Sequence, residues 1–328
     1  MVHRLPWLAR LCLISVSLLA GTITLPMATA GEFPQVGRIV FLGDSITHAG
    51  GYVQRLETAM RLQLPQRQVE FLNLGLPSET VSGLSEPGHA GGQFPRPVLG
   101  ERLDRILQQT KPDLVVACYG MNDGIYYPLA KDRMAKFQEG IEELHRKVEA
   151  SGAGIIHLTP AFFDAHPIQD RLLPAGLDEY RQPYAGYDEV LEAYSRWLLE
   201  QQSRGWKVID LHGAMKQAVL DRRKIAPDFT FAADGVHPNE EGQAVVAGPL
   251  SKEWGLQLDD QGKPQVPQGK SIDVDRLFQL VAQKQRLLQL AWLTATGHLR
   301  PGIPQGVSLQ QASQEASQLD QQINQMTR

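Results

Sequence analysis

Cysteine is rare in this chain, which has only Cys12 and Cys118 among its 328 residues. No cluster of cysteine and histidine has the spacing of metal ligands, so the sequence predicts no metal and no other cofactor. Cys12 lies in an N-terminal apolar stretch that we expect to be removed, which leaves Cys118 without an intramolecular disulfide partner. The mature fold must therefore be stabilised by its hydrophobic core, for which roughly 300 residues are sufficient.

An excess of positive charge is also lacking. The chain has 32 Lys and Arg residues against 36 Asp and Glu residues, a formal net charge of −4. Loss of the first thirty residues would remove Arg4 and Arg10 but no acidic residue, so the mature chain is nearer −6. Nucleic acids and anionic membranes attract strongly basic surfaces. The composition therefore argues against nucleic acid as a partner and against a role at an anionic membrane surface.

Long apolar runs are missing except near the N-terminus. Residues 11–20 form an apolar stretch that follows Arg4 and Arg10, and Ala28-Thr29-Ala30 is a small-x-small cleavage sequence. This arrangement is typical of a secretory signal peptide over residues 1–30, with cleavage after Ala30. We therefore predict an exported protein, periplasmic or secreted, that is not inserted in a membrane after cleavage. The alternative is an uncleaved membrane anchor.

Apolar, β-branched runs alternate with segments of helical periodicity through most of the chain. Such runs predict strands buried on both faces, and helices between consecutive strands make those strands parallel. We therefore predict an α/β fold over residues 31–256, with a five-stranded parallel sheet covered by helices on both faces. The predicted strands are 38–42, 69–74, 114–119, 155–158 and 206–211, and the predicted helices are 52–64, 99–110, 134–150, 187–201 and 240–254.

The composition changes after this α/β region. A polar segment with glycine and proline over 257–269 is expected to be a linker. Residues 270–328 are expected to form a helical C-terminal extension, with amphipathic helices over 273–294 and 308–327. We expect these helices to pack against the α/β body, and dimerisation or a partner groove is the alternative. The oligomeric state stays open.

Ser45 is the candidate nucleophile. It directly follows the first predicted strand, at the edge of the sheet where α/β proteins place their active sites. A serine hydroxyl needs a base within hydrogen-bond reach, and His237 is the candidate because imidazole titrates near neutrality. Asp234, three residues earlier, is expected to orient His237 and stabilise its imidazolium form. Asp210 is a weaker alternative for this role, and His212 beside it is expected to be a cap or a surface residue.

Three hydrogen-bond donors follow three different predicted strands. They are the backbone N–H groups of Ser45 and Gly75 and the side-chain amide of Asn122. Parallel strands would direct all three towards one edge of the sheet. An acyl-transfer site needs such donors at the oxyanion that forms on the attacked carbonyl. Each short motif alone is also a common turn or cap sequence, so the prediction depends on all of them occurring together.

These residues resemble the signature of the SGNH hydrolases, also called the GDSL family. Ser45, Gly75, Asn122 and His237 match the four signature positions in the family's order, and Ile46 replaces the usual leucine after Gly-Asp-Ser. The resemblance covers about residues 37–254. It implies a three-layer flavodoxin-like fold, no metal, and esterase or deacylase chemistry. It also implies that Ser45, Asp234 and His237 are catalytic and that Ser45, Gly75 and Asn122 form the oxyanion hole.

Three long connections should emerge at the same edge and form walls for a substrate: 76–98, the segment with Tyr126-Tyr127-Pro128 after Asn122, and 160–183. Aromatic rings interleaved with Asp, Arg and His in the third connection suit a sugar better than an acyl chain. The loop at 297–302 is a further segment that could reach the cleft. The candidate substrate-binding residues are Asp44, His89, Tyr126, Phe162 and His298.

The sequence as a whole predicts an exported serine esterase. Its expected substrate is a small acyl ester, acetyl above all, on a small molecule or a carbohydrate. A lipid or lysophospholipid esterase, a polysaccharide O-acyltransferase and a non-catalytic binding module are the alternatives. The predicted reaction class depends on the site residues, because one fold can support many functions.

Overall fold

A computed structural model describes residue 1 and residues 31–327 of the chain. The predicted signal peptide, with Cys12 and its cleavage site, therefore lies outside the described residues apart from Met1. Among the described residues, none of the helices combines the length and the apolar character that crossing a bilayer requires.

Five parallel strands form one sheet, and they are β1 Arg38–Gly43, β2 Glu70–Asn73, β3 Leu114–Cys118, β4 Gly154–Leu158 and β5 Lys207–Ile209. Their order in the sheet is β2-β1-β3-β4-β5, which confirms the predicted α/β fold with a five-stranded parallel sheet. Strand β1 lies between β2 and β3, so that Val40 pairs with Leu72 on one side and with Val115 on the other. All three residues are fully or almost fully buried, because helices cover both faces of the sheet.

The helices follow the predicted alternation, with boundaries shifted by up to three residues. The predicted helix 99–110 is divided into a 3₁₀ turn, Leu99–Glu101, and an α-helix. The α-helices are α1 Ser45–Ala49, α2 Gly51–Gln63, α3 Leu103–Thr110, α4 Lys131–Ala150, α5 Tyr187–Glu200, α6 Leu211–Arg223, α7 Glu240–Glu253, α8 Val274–Thr296 and α9 Leu309–Thr327.

Two helices, α1 and α6, were not predicted. Helix α1 has only five residues, too few for a periodic pattern, and it begins where the Asp44 side chain accepts the N–H of Ile46. Helix α6 begins where Asp210 accepts the N–H of Gly213. It buries His212 along with its apolar residues, so the prediction that His212 is a cap or surface residue is wrong. Only a few apolar residues line the buried face of α6, and this weakens its sequence signal.

The C-terminal helices α8 and α9 pack on α2, and α8 also contacts the edge strand β2. A buried ionic cluster lies at this interface. The Lys284 ammonium contacts Glu57 and lies 2.9 Å from Asp320, and the Arg61 guanidinium lies 3.2 Å from Glu57 and 2.9 Å from Asp320. Leu277 and other apolar residues of α8 are buried beside the cluster. The extension therefore packs against the α/β body.

Candidate active site

Three side chains that are far apart in the sequence form a continuous hydrogen-bonded chain at the carboxyl edge of the sheet. The Nε2 atom of His237 lies 2.8 Å from the Oγ atom of Ser45, and its Nδ1 atom lies 2.6 Å from the Oδ2 atom of Asp234. In the neutral tautomer that fits both contacts, Nδ1–H donates to Asp234 and Nε2 accepts the Ser45 proton. This is the arrangement that a serine nucleophile requires.

A tight turn holds Asp234 and His237 together. The Oδ1 atom of Asp234 accepts the backbone N–H groups of Val236 and His237, while its Oδ2 atom stays available to the ring. Gly235 has a φ of 80°, and a Cβ atom there would lie 2.7 Å from the Asp164 carbonyl oxygen. Glycine is therefore required in this turn both by backbone conformation and by space.

Asp164, in the loop after β4, holds the turn of Asp234 and His237 in place. The Asp164 N–H donates to the Gly235 carbonyl over 2.9 Å, and the Asp164 carboxylate is buried. Both of its oxygens accept from Arg223 of α6, and one also accepts from Thr230. The ion pair between Asp164 and Arg223 therefore links the turn of His237 to α6. The sequence did not indicate this contact.

The electrostatics of the pair favour a charged Asp234 and a basic His237. The hydrogen bond to Asp234 is the main cause that raises the pKa of His237 above its ordinary value. Burial works to raise the pKa of Asp234, but hydrogen bonds from the His237 ring and backbone outweigh burial and hold that pKa well below its usual range. Asp234 therefore stays ionised at neutral pH and can stabilise an imidazolium.

The predicted alternative, Asp210, does not contact His237. Its Oδ1 atom accepts from Gly213 at the start of α6 and from Thr159. Asp210 is thus a helix-capping residue.

The three predicted oxyanion donors also follow β1, β2 and β3. Ser45 is the first residue of α1, where helix N–H groups have no acceptor within the helix. The Gly75 N–H donates over 3.0 Å to the Asn73 side chain, so an oxyanion would have to share or displace that bond. A Cβ atom on Gly75 would lie 2.5 Å from the backbone nitrogen of His48, which explains glycine at this position. Asn122 is buried after β3.

The amide of Asn122 has partners that the sequence did not indicate. Its Oδ1 atom accepts from Arg96 over 2.7 Å, and its Nδ2 atom lies 3.4 Å from the Glu79 carbonyl. Arg96 is in turn paired with Glu86 through two hydrogen bonds. The only sequence signal for this cluster is an arginine between two prolines in a long loop, because burial of a charged side chain is a tertiary property.

Two of the candidate substrate-binding residues lie next to the site. Asp44 precedes Ser45 and is buried, which raises its pKa to about 7. Tyr126 stacks on Tyr187 with ring centroids 4.7 Å apart and lies against the Arg96 guanidinium. Asp44 is therefore a helix cap in this structure, and Tyr126 belongs to the wall around Asn122.

The other three candidates have contacts elsewhere. Phe162 packs against His212 and Lys216 on α6. His89 lies with its ring edge on Phe94, in the 76–98 loop. His298 belongs to the loop after α8, next to Arg300, whose guanidinium lies over Phe94. The structure does not place these three rings against the Ser45 and His237 side chains, and their roles in substrate binding stay predictions.

The triad is open to solvent, with about half of the Asp234 and His237 side chains exposed. The two long loops, 76–98 and 160–183, meet in a groove of about 440 Å³, which residues Glu86, Pro87, Gly88, Gly91 and Gly92 line on one side and Glu179, Tyr180 and Arg181 line on the other. A larger cavity of about 910 Å³ lies between α6, α7 and residues 255–262, and among the candidate site residues only the rejected alternative Asp210 lines it. Among the described residues, no group of three or more His, Cys, Asp or Glu side chains has the arrangement of a metal site.

Comparison with solved structures shows the same fold in two enzymes. A gut microbial diltiazem-metabolizing enzyme superposes with a TM-score of 0.54 at 22% identity, over 70% of this chain and 49% of that chain. This chain thus spans about half the length of that enzyme. An acetylxylan esterase from Geobacillus stearothermophilus superposes with a TM-score of 0.51 at 19% identity, over 70% of this chain and 97% of that chain.

At these identities the structural similarity shows the fold alone. A comparison with curated proteins gave no match. Residues 41–245, however, match the family model of the GDSL-like lipase/acylhydrolases. The match begins in β1, ends in α7 and includes Ser45, Gly75, Asn122, Asp234 and His237. Because it spans more than half of the sequence, the chain belongs to the GDSL-like lipase/acylhydrolase family of ester hydrolases.

Proposed function

We propose that this protein is an exported serine esterase that removes small acyl groups, acetyl above all, from carbohydrate through an acyl-enzyme on Ser45. The observation that carries the proposal is the unbroken chain from Asp234 through His237 to Ser45, with contacts of 2.6 and 2.8 Å. Such a chain activates a hydroxyl that would otherwise be a poor nucleophile at neutral pH.

In the first half of the reaction, the Ser45 Oγ atom attacks the ester carbonyl carbon while its proton moves to His237 Nε2. The carbonyl electrons move to oxygen, and the donors at Ser45, Gly75 and Asn122 would stabilise that charge. The carbon–oxygen bond to the alcohol then breaks, and His237 gives its proton to the departing alkoxide. Asp234 stabilises the imidazolium between these two proton transfers.

In the second half, water replaces the alcohol. His237 takes a proton from water as the water oxygen attacks the acyl-enzyme, and the second tetrahedral intermediate forms at the same donors. The bond between the acyl carbon and Ser45 Oγ then breaks, Ser45 regains its proton from His237, and the carboxylic acid leaves. The solvent-open position of His237 suits this step because water can reach it directly.

Two observations support a carbohydrate as the alcohol. The groove between the two long loops combines Tyr180 with the charged residues Glu86, Glu179 and Arg181, a lining that suits hydroxyl-rich rings better than an acyl chain. The acetylxylan esterase with the same fold is named for activity of this class.

Export is supported by the features of residues 1–30 and is testable by cell fractionation.

A substrate panel tests the proposal. Purified protein would be offered acetylated xylan and other acetylated polysaccharides, p-nitrophenyl acetate, medium-chain esters and lysophospholipids, with released acid as the readout. We expect acetylated substrates to be preferred and Ser45→Ala to abolish their hydrolysis. Preference for long acyl chains would favour a lipid esterase, and transfer that exceeds hydrolysis when a sugar acceptor is added would favour an acyltransferase. Undiminished turnover by Ser45→Ala would contradict the mechanism.

A further inference from the structure

Arg96 is buried in the loop between β2 and β3, and one of its nitrogen atoms contacts the predicted oxyanion donor. The Nη1 atom of Arg96 lies 2.7 Å from the Oδ1 atom of Asn122. Arg96 is only 6% exposed, so water does not compete effectively for this contact. A charge-assisted hydrogen bond in such surroundings is stronger than one between neutral groups at the surface.

Glu86 and Tyr126 hold Arg96 in place. Its Nε and Nη2 atoms donate to the two carboxylate oxygens of Glu86 over 2.7 and 2.6 Å. Its guanidinium carbon lies 5.4 Å from the centre of the Tyr126 ring. Burial alone would raise the pKa of Glu86, but hydrogen bonds from His89 and Arg96 outweigh it and lower that pKa to about 2. The pair therefore stays charged at neutral pH.

The contact determines which way the Asn122 amide points. An amide can rotate by half a turn and exchange its oxygen and nitrogen with little change in shape. A guanidinium only donates hydrogen bonds, so it can face the oxygen of Asn122 and not the nitrogen. Nδ2 is then directed away from Arg96, with one N–H towards the Glu79 carbonyl at 3.4 Å and the other left for a ligand.

We propose that Arg96 is a positioning residue for catalysis, which keeps the Asn122 N–H aimed at the oxyanion, and that Glu86 holds Arg96 in place. This inference rests on the proposed esterase function and adds two residues to it. Arg96 also withdraws electron density from the Asn122 oxygen, which makes the N–H a better donor. Both effects act in the transition state and thus on kcat more than on KM.

A double-mutant cycle tests this proposal. Steady-state kcat and KM for p-nitrophenyl acetate would be measured for wild type, Arg96→Met, Asn122→Ala and the double variant. Loss of an oxyanion donor lowers kcat by about 10²- to 10³-fold, so misalignment of the donor in Arg96→Met should lower it by about tenfold or more. In the Asn122→Ala background, Arg96→Met should cause no further loss, because no amide is left to orient.

A structural role of the loop gives a different result. If Arg96 only maintained the loop, Arg96→Met would lower kcat by the same factor in both backgrounds, and that outcome would overturn the proposal. Arg204→Met is the matched control, since Arg204 also pairs with a carboxylate, Glu142, and lies over an aromatic ring, Trp206. Arg204 precedes β5 at the opposite edge of the sheet, and its variant should keep wild-type kcat. Where Arg96→Met folds poorly, Glu86→Gln serves as the second variant, with a smaller kcat loss that also vanishes with Asn122→Ala.

A readout without substrate separates this inference from the proposed function. The side-chain amide resonances of Asn122 can be assigned in ¹⁵N-labelled protein as the pair that is absent from Asn122→Ala. We expect Arg96→Met to shift this pair, because it loses the charged partner on its oxygen. Unchanged resonances would overturn the inference even in an active esterase, whereas a shift would support it even if the substrate were of another class.

Discussion

At the scale of single residues, the contact between Asp234 and His237 should control the pH dependence of activity. His237 acts as a base only when it is neutral, so kcat/KM should rise as the pH increases through the pKa of His237. That pKa lies above the ordinary histidine value, mainly because of the hydrogen bond to Asp234. We therefore expect the acidic limb of the profile above about pH 6.5.

Asp234→Asn tests this assignment. The amide would remove the negative charge, so the acidic limb should move to lower pH, and kcat should fall by about 10⁴-fold if the ring takes the wrong tautomer. The profile of kcat/KM for a p-nitrophenyl ester measures both effects. Asp210→Asn is the control, since Asp210 caps α6 and makes no contact with His237. An unchanged limb in Asp234→Asn would leave His237 without its assigned partner.

Asn122 supports a second prediction at this scale. Asn122→Ala should lower kcat by about 10²- to 10³-fold with little change in KM, because its amide acts on charge that develops in the transition state. Steady-state kinetics would measure this, and circular dichroism would confirm that the fold is kept. A rise in KM with kcat unchanged would assign Asn122 to ground-state substrate binding instead.

At the scale of elements, the C-terminal helices are joined to the body through buried charge. Lys284 is 2% exposed and contacts Glu57, which is fully buried. Removal of one partner from a buried ion pair typically costs about 3–5 kcal/mol, but Arg61 would remain 3.2 Å from Glu57 and compensate part of its charge. Lys284→Met should therefore lower the free energy of unfolding by up to about 3–5 kcal/mol, as measured by chemical denaturation.

Lys263→Met is the control for this prediction. Lys263 pairs with Asp275 near the start of the same extension, but both side chains are exposed to solvent. Its replacement should leave the unfolding midpoint unchanged. If Lys284→Met unfolded at the same denaturant concentration as Lys263→Met, the buried cluster would not be what stabilises the junction of α2, α8 and α9.

The long loops are the elements that differ most from expectation. The 76–98 connection was expected only as a wall for a substrate, yet it carries the Glu86 and Arg96 pair that reaches Asn122. In the 160–183 connection, Phe162 packs on α6 and Asp164 supports the turn of His237, and neither contact was expected. That this connection presents aromatic rings to a substrate stays a prediction. Loop side chains have no periodic pattern, so their direction follows from packing that the local sequence does not encode.

At the scale of the whole molecule, a buried histidine pair should make stability depend on pH. The Nδ1 atom of His145 lies 3.0 Å from the Nε2 atom of His157, and both rings stack with Trp206. Burial lowers the pKa of His157 to about 3 and is also the main cause that lowers the pKa of His145. Glu149 works to raise the pKa of His145, and Arg204 works to lower it. In the unfolded chain both would titrate near pH 6.5.

The sign of the effect follows from proton binding. Between about pH 6.5 and pH 3 the unfolded chain binds more protons at His157 than the native state, so stability rises with pH. The full contribution of His157 is present above about pH 6.5 and is lost as the pH falls towards its native pKa. Urea unfolding between pH 7 and pH 4 should show this decline, and His157→Gln should make it shallower. An identical slope in His157→Gln would contradict the assignment to this pair.

The sequence by itself was sufficient to predict the parallel sheet and to indicate the family. Apolar, β-branched runs of four to six residues predict buried strands because both faces of such strands are covered. Ser45, Gly75 and Asn122 were recognisable because each lies shortly after such a strand, and parallel strands end at one edge of the sheet. Asp234 and His237 were recognisable because a three-residue turn is local.

Only the tertiary structure decided what surrounds these groups. Arg96 lies 26 residues before Asn122 and His145 lies twelve before His157, and each pair meets because of helix and loop packing. The burial of His212, and of Lys284 against Glu57, likewise depends on which helices cover which faces. Hydrogen-bond partners of this kind come from distant parts of the chain, so the sequence could indicate the candidate catalytic groups but not the contacts that orient them.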